Sequence, residues 1–206
     1  MADTKDGREE QAHRAERRQR EREVAEALNR GDEPEPDPEL EAVDVDDLAA
    51  VESELAELSY PATAEAVLEV LDDRELATRG RPVPAEDLVP RTDRVRFESP
   101  REVRARIARP TVATALRRIT EAIGTVEDLS QREFDERLDA YERTFRELAA
   151  VAPDDHDEST GVLADWIVDV VESDGRVPSS RAVRRRAAVY CRANGYEVRD
   201  DGWLAV

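Results

Sequence analysis

Apolar side chains spaced three and four residues apart are the feature that most limits what this chain can become. Phe134, Leu138, Tyr141, Phe145 and Leu148 line one side of a rod at about 100° per residue, which predicts a helix reaching Val151. Ser130-Gln131-Arg132-Glu133 opens it as a capping box, in which serine and glutamate satisfy backbone N–H groups that the first turn leaves free. The stripe serves either as a core face or as a dimer seam. Glu133 with Arg137, Asp139 with Arg143 and Glu142 with Arg146 set acids four residues ahead of arginines, the favourable order for exposed pairing.

The same period governs the chain from Thr160 onward. Thr160 is the expected N-cap of a helix holding Leu163, Trp166, Ile167, Val170 and Val171, and Gly175 takes the left-handed position that ends it. After Arg176-Val177-Pro178, Ser179 or Ser180 caps a second helix that runs to Asn194 and Gly195. Val183, Ala187 and Tyr190 fall on its inner side, and Arg181, Arg184, Arg185 and Arg192 fall opposite. Tyr196–Arg199 and Trp203–Val206 flank Gly202 and read as a closing hairpin. The run from Asp174 to Val183 resembles the Gly, Pro-Ser, Arg stretch between the first two helices of some winged-helix repressors. In those families a separate recognition helix comes next, whereas here no room remains for one before the hairpin.

Earlier in the chain, Leu48, Val51, Leu55 and Leu58 predict a helix over Val45–Leu58, and Thr63 caps another with Val67, Leu68 and Leu71 inward. Glu75–Thr78 and Arg81–Val83 around Gly80 predict a hairpin, and Ala85–Val89 one or two helical turns. Ser99-Pro100-Arg101-Glu102 joins a capping box to proline at the first helical position, with Val103 and Ile107 inward and Arg101, Arg104 and Arg106 outward. Pro110-Thr111 starts a helix that carries Val112, Leu116, Ile119 and Ile123 as far as Gly124. The words Leu58-Ser59-Tyr60-Pro61-Ala62-Thr63 and Phe97-Glu98-Ser99-Pro100-Arg101-Glu102-Val103 resemble a haloarchaeal family of unknown function, over about residues 48–107. A small bacterial domain of unknown function is similar in its Tyr-Pro-Ala and Ser-Pro-x-Glu-Val words. The resemblance implies a compact helix-hairpin-helix module in which Tyr60, Pro61 and Phe97 have structural roles, and it brings no catalytic residues.

The segment from Arg8 to Arg30 mixes Arg and Glu with few large apolar side chains, so it is expected to be a disordered arm or an undocked helix. Arg14, Arg17, Arg18, Arg20 and Arg22 make it an interaction arm or a solvating tail. Pro34, Pro36 and Pro38 alternate with acids and give a stiff linker. The expected organisation is a charged arm and linker at 1–42, a helix-hairpin-helix module at 43–125, and a helical module at 126–206 whose helix-turn-helix ends in a hairpin. The fold class is mainly α, with short β-hairpins.

Charge narrows the function. Fifty acids face 31 basic residues among 206, a formal net charge of -19, and Lys5 is the only lysine. Such a surface resembles proteins of haloarchaea, where molar salt shortens the Debye length to about 3 Å and screens carboxylate repulsion. Asp44, Asp46 and Asp47 lack the glycine and closing glutamate of a calcium loop. In Pro153–Glu158, adjacent residues around His156 converge poorly on one ion. No metal or cofactor is expected. Cys191 is the only cysteine and is expected as a packed apolar group. The chain holds no phosphate-binding Gly-Lys motif and no Gly-x-Ser-x-Gly elbow, so an enzyme is not expected. It has neither an apolar run long enough to span a membrane nor a leader-like N-terminus, so the expected compartment is the cytoplasm.

Two arginine-rich islands, Arg91–Arg118 and Arg176–Arg199, stand out against this acidity. They suit phosphate contacts on a nucleic acid, or carboxylates on an acidic partner protein, or carboxylates of the chain itself. The residues expected to make contact are Arg181, Arg184, Arg185, Arg192 and Arg199.

Overall fold

In a computed structural model, residues 42–78, 80–151, 156–199 and 202–205 are described, and Glu39–Val206 forms one compact unit. The N-terminal arm and linker, Arg79, residues 152–155, the side chain of His156, the tip at Asp200-Asp201 and Val206 lie outside the described residues.

Seven helices and two small antiparallel sheets make up the described part. Helix α1 (Val45–Glu54) starts at Asp44, whose carboxylate accepts from Asp46 N at 2.8 Å. It tightens into a 3-10 turn at Leu55–Glu57 rather than continuing as one helix to Leu58. After a cis Tyr60-Pro61 peptide come β1 (Ala62–Thr63) and α2 (Ala64–Val70), capped by Thr63 Oγ1, which accepts from Ala66 N at 3.2 Å. The expected hairpin is present as β2 (Glu75–Leu76) against β3 (Val83–Pro84), followed by a 3-10 turn at Ala85–Asp87.

The second sheet lacks a local signal in the sequence: β4 (Arg96–Phe97) pairs with β1, with Ala62 opposite Phe97. Such a pair joins two-residue segments more than thirty positions apart and is held by the burial of Phe97, not by a turn. Helix α3 (Pro100–Ile107) follows its capping box, with Ser99 Oγ accepting from Glu102 N and Glu102 accepting from Glu98 N.

The remaining helices are α4 (Pro110–Gly124), α5 (Gln131–Val151), α6 (His156–Asp174) and α7 (Ser180–Ala193). The α5 stripe of Phe134, Leu138, Tyr141, Phe145 and Leu148 is buried, so it faces the core. Each of its aromatic rings contributes about 2–3 kcal/mol by leaving water. Helix α6 begins at His156, one turn before the expected cap. Thr160 therefore sits inside the helix and is buried, because Asp157 and Glu158 make a favourable first turn. Gly175 ends α6 at φ 64°, as expected. Ser179 caps α7, accepting from Ala182 N at 3.2 Å.

The closing segment departs from the hairpin reading. Among the described residues it carries no strand; Gly202 N donates to Arg199 O and Ala205 N to Gly202 O, which makes two successive turns. A two-stranded hairpin needs packing behind it to persist, and here Leu204 inserts into the core instead. No helix among the described residues is long and apolar enough to cross a membrane.

Candidate functional site

The site builds up from the turn between α6 and α7. Tyr141, fully buried on α5, donates its phenolic O–H to Pro178 O at 2.5 Å, and this bond fixes the turn against the core. Burial also pushes the Tyr141 pKa well above the ordinary phenol range, so the donor is always protonated. From that fixed start, α7 buries Val183, Ala187, Ala188 and Cys191. Burial likewise raises the Cys191 thiol, as befits a packed apolar group and not a nucleophile.

Arg181, Arg185 and Arg192 lie on the outer side of α7, within about 40° of one another around the axis and spread over roughly 16 Å along it. All three are exposed, and among the described residues none makes an ion pair. Val189 lies beside them and is 50% exposed. Arg186 leans toward the Trp166 ring of α6, at 6.0 Å from its centroid.

The other two expected residues are placed differently. Arg184 is drawn off the outer face: its guanidinium lies 4.6 Å from the Trp203 ring and donates to Trp203 O at 3.3 Å. Its Nε is buried without a partner. Arg199 is exposed but lies beyond α7, in the closing segment. Arg143 of α5 also packs on Trp203, at 4.0 Å. Helical spacing sets Arg143 against Asp139 and misses this contact, because nothing local links residue 143 to residue 203. Trp203 Nε1 donates to Thr144 Oγ1 at 3.1 Å and completes the cluster.

Six of the nine arginines of the first island are held within the fold, while Arg96, Arg101 and Arg109 are exposed and make no ion pair among the described residues. Arg104 pairs with Glu52 at 2.8 Å, Arg106 with Glu142 at 3.0 Å and Arg118 with Asp165 at 2.8 Å. Arg117 meets Glu121 and Asp87, and Arg91 meets Glu86. Arg94 lies 4.2 Å from the Phe134 ring and donates to Leu129 O at 2.8 Å and to Gln131, whose amide donates back to Arg94 O. Arg104 and Arg106 thus bridge between helices instead of facing outward. In the second island, Arg176 is likewise held, doubly hydrogen-bonded to Asp174.

Among the described residues no three His, Cys, Asp or Glu side chains come together where a metal ion would be held. Asp44 and Asp47 are occupied in the fold, Asp44 capping α1 and Asp47 accepting from Ala77 N at 2.6 Å.

Residues 42–119 match the model of a family of unknown function (DUF5789). The match includes the Tyr-Pro-Ala and Ser-Pro-x-Glu-Val words and ends within α4. No curated protein and no solved structure matches the chain.

Proposed function

We propose that this protein acts by binding and not by catalysis, and that its ligand is a nucleic acid whose phosphates meet the Arg181-Arg185-Arg192 face of α7. One observation carries this reading: in a chain with a surplus of carboxylates, three guanidiniums share one helix face with no carboxylate of the described fold opposite them. A preorganised row of planar donors on a rigid helix is what phosphate positioning requires. Because α7 is the second helix of a helix-turn-helix, with α5 packed across both helices, it is the element that would enter a groove. The carboxylate surplus supports a salt-rich cytoplasm as the working environment. In such salt counterion release contributes little, so the contact geometry must supply the affinity.

Fluorescence anisotropy of a labelled DNA duplex, read across a KCl series in which circular dichroism reports a folded protein, tests this. Replacing Arg181, Arg185 and Arg192 with Gln is expected to weaken binding at least about tenfold and to lower the slope of log K against log salt by about 3, one unit per lost phosphate contact. An unchanged affinity would overturn the reading. Val189 and Trp166 beside arginines also match the composition of protein interfaces, and this favours an acidic partner protein as the second reading. Capture of one protein after nuclease treatment, lost in the same triple variant, would select it.

A further inference from the structure

We infer that the cleft where the α3–α4 turn meets α5 binds a small organic anion, a carboxylate or phosphate head carried on a short apolar body. The site is separate from α7 and does not rest on the reading given to that helix.

The cleft measures about 310 Å³, at the small end of the range for ligand pockets. Its apolar side is the half-buried Val112 and the exposed Ala105, with the buried Leu116 and Phe145 beneath them. Its polar side is cationic: Arg106, Arg109 and Arg146 line it, and Glu142 is the one carboxylate among the lining residues. In a chain of 50 acids and 31 basic residues, that local balance is reversed.

The single carboxylate is already shared. Arg106, half-buried, donates to Glu142 Oε2 at 3.0 Å and is thereby held as part of the wall. Arg146, exposed, reaches Glu142 Oε1 only at 3.5 Å, the outer limit of a hydrogen bond. Arg109 is exposed, makes no ion pair among the described residues, and makes no side-chain bond to the start of α4 although it stands at the cap position. The two acids that sense Arg106 from elsewhere on α3 and α5, Glu102 and Asp139, do not line the cleft. An anionic head set between Arg109 and Arg146 would therefore meet two guanidinium forks whose geometry matches carboxylate and phosphate oxygens.

The apolar side decides the class of ligand. An inorganic ion or a nucleic-acid backbone would leave Val112 and Ala105 uncovered, whereas a hydrocarbon chain behind the head covers them. Salt screens the exposed ionic contact and leaves the apolar burial in place, so a ligand with both parts keeps its hold in concentrated KCl.

Amide NMR of the whole chain, titrated with potassium octanoate and with octyl phosphate in KCl at which circular dichroism reports a folded protein, tests the site. The shifts are expected to centre on Ala105, Arg109, Val112 and Arg146. Affinity should rise up to about fourfold per methylene from butanoate to octanoate, and the head that binds more tightly is the one the arginines select. Octanol, which has no charge, should bind at least about tenfold more weakly than octanoate, and Arg109→Gln should cause a loss of similar size. Ala105→Phe fills the cleft from an exposed helix position and should abolish the shifts at Arg109 and Arg146 while helical circular dichroism is retained. Arg181→Gln should leave the titration unchanged, so this site and the α7 reading stand or fall separately. Shifts scattered over the chain, octanol binding as tightly as octanoate, or wild-type affinity in both Arg109→Gln and Ala105→Phe would overturn the inference. It is equally overturned if neither octyl compound shifts these amides while a short peptide with phenylalanine beside glutamate does, because the cleft then takes an acidic protein segment.

Discussion

The two arginine islands look alike in sequence and differ in how their helical arginines are met: α3 and α4 send most of theirs to other elements, whereas α7 leaves three together on one side. Arg91–Arg118 contains residues that reach across the fold, and each bridging guanidinium finds a carboxylate, a carbonyl or an aromatic ring of another element. In Arg176–Arg199, three of the guanidiniums face outward with no such counterpart among the described residues. The difference lies in what surrounds each helix. Helix α3 packs on α1 and sends Arg104 to Glu52 there and Arg106 to Glu142 of α5, whereas among the described residues no carboxylate meets the outer side of α7. A cluster of arginines is therefore available to a ligand only where the neighbouring elements leave it open.

The contrast can be broken most sharply at Arg94. Replacing Arg94 with Ala removes the guanidinium bonds to Leu129 O and Gln131 Oε1 and the stacking on Phe134, and is expected to cost about 2–3 kcal/mol by urea denaturation. Binding at temperatures where the variant is folded should be unaltered. Next in size is Tyr141→Phe, which leaves Pro178 O buried without its donor and should cost about 1–2 kcal/mol in the same assay. Arg106→Gln breaks a half-buried pair with Glu142 and should cost about 1 kcal/mol. The Arg181, Arg185 and Arg192 triple variant should stay within about 0.5 kcal/mol of wild type, since it disrupts no described contact, whatever it does to the proposed binding. If these stability costs came out in the reverse order, the division between a structural island and an open one would fail. Dialysis from molar KCl into dilute buffer bears on both islands at once. The carboxylate surplus predicts loss of helical circular dichroism there, despite the stronger attraction within each Arg-carboxylate pair.

The helical frame is legible in the sequence because its signals are local. Ser99 and Ser130 announce their helices through residues three positions on, Gly175 marks a terminus, and the α5 stripe shows its buried side by period alone. Contacts between distant residues are not legible. The β1–β4 pair, the seat of Arg184 on Trp203 and the placement of Arg143 each depend on a partner more than fifteen positions away that no spacing rule names. Residue chemistry alone places the start of α6 too late, because Thr160 has the character of a cap while the acids before it extend the helix by a further turn. At the candidate site, periodicity places Arg181, Arg185 and Arg192 correctly on the outer side and errs on Arg184, the residue nearest the buried arc.

The phenol-to-carbonyl bond between Tyr141 and Pro178 has one more consequence. By anchoring the bend ahead of α7 to the middle of the longest helix, it denies that rod a swivel, so its guanidiniums are presented at a fixed pitch and bearing. A ligand of the proposed kind would meet a stiff comb, would take little disorder from the host on arrival, and would itself have to supply any bending needed to match the teeth.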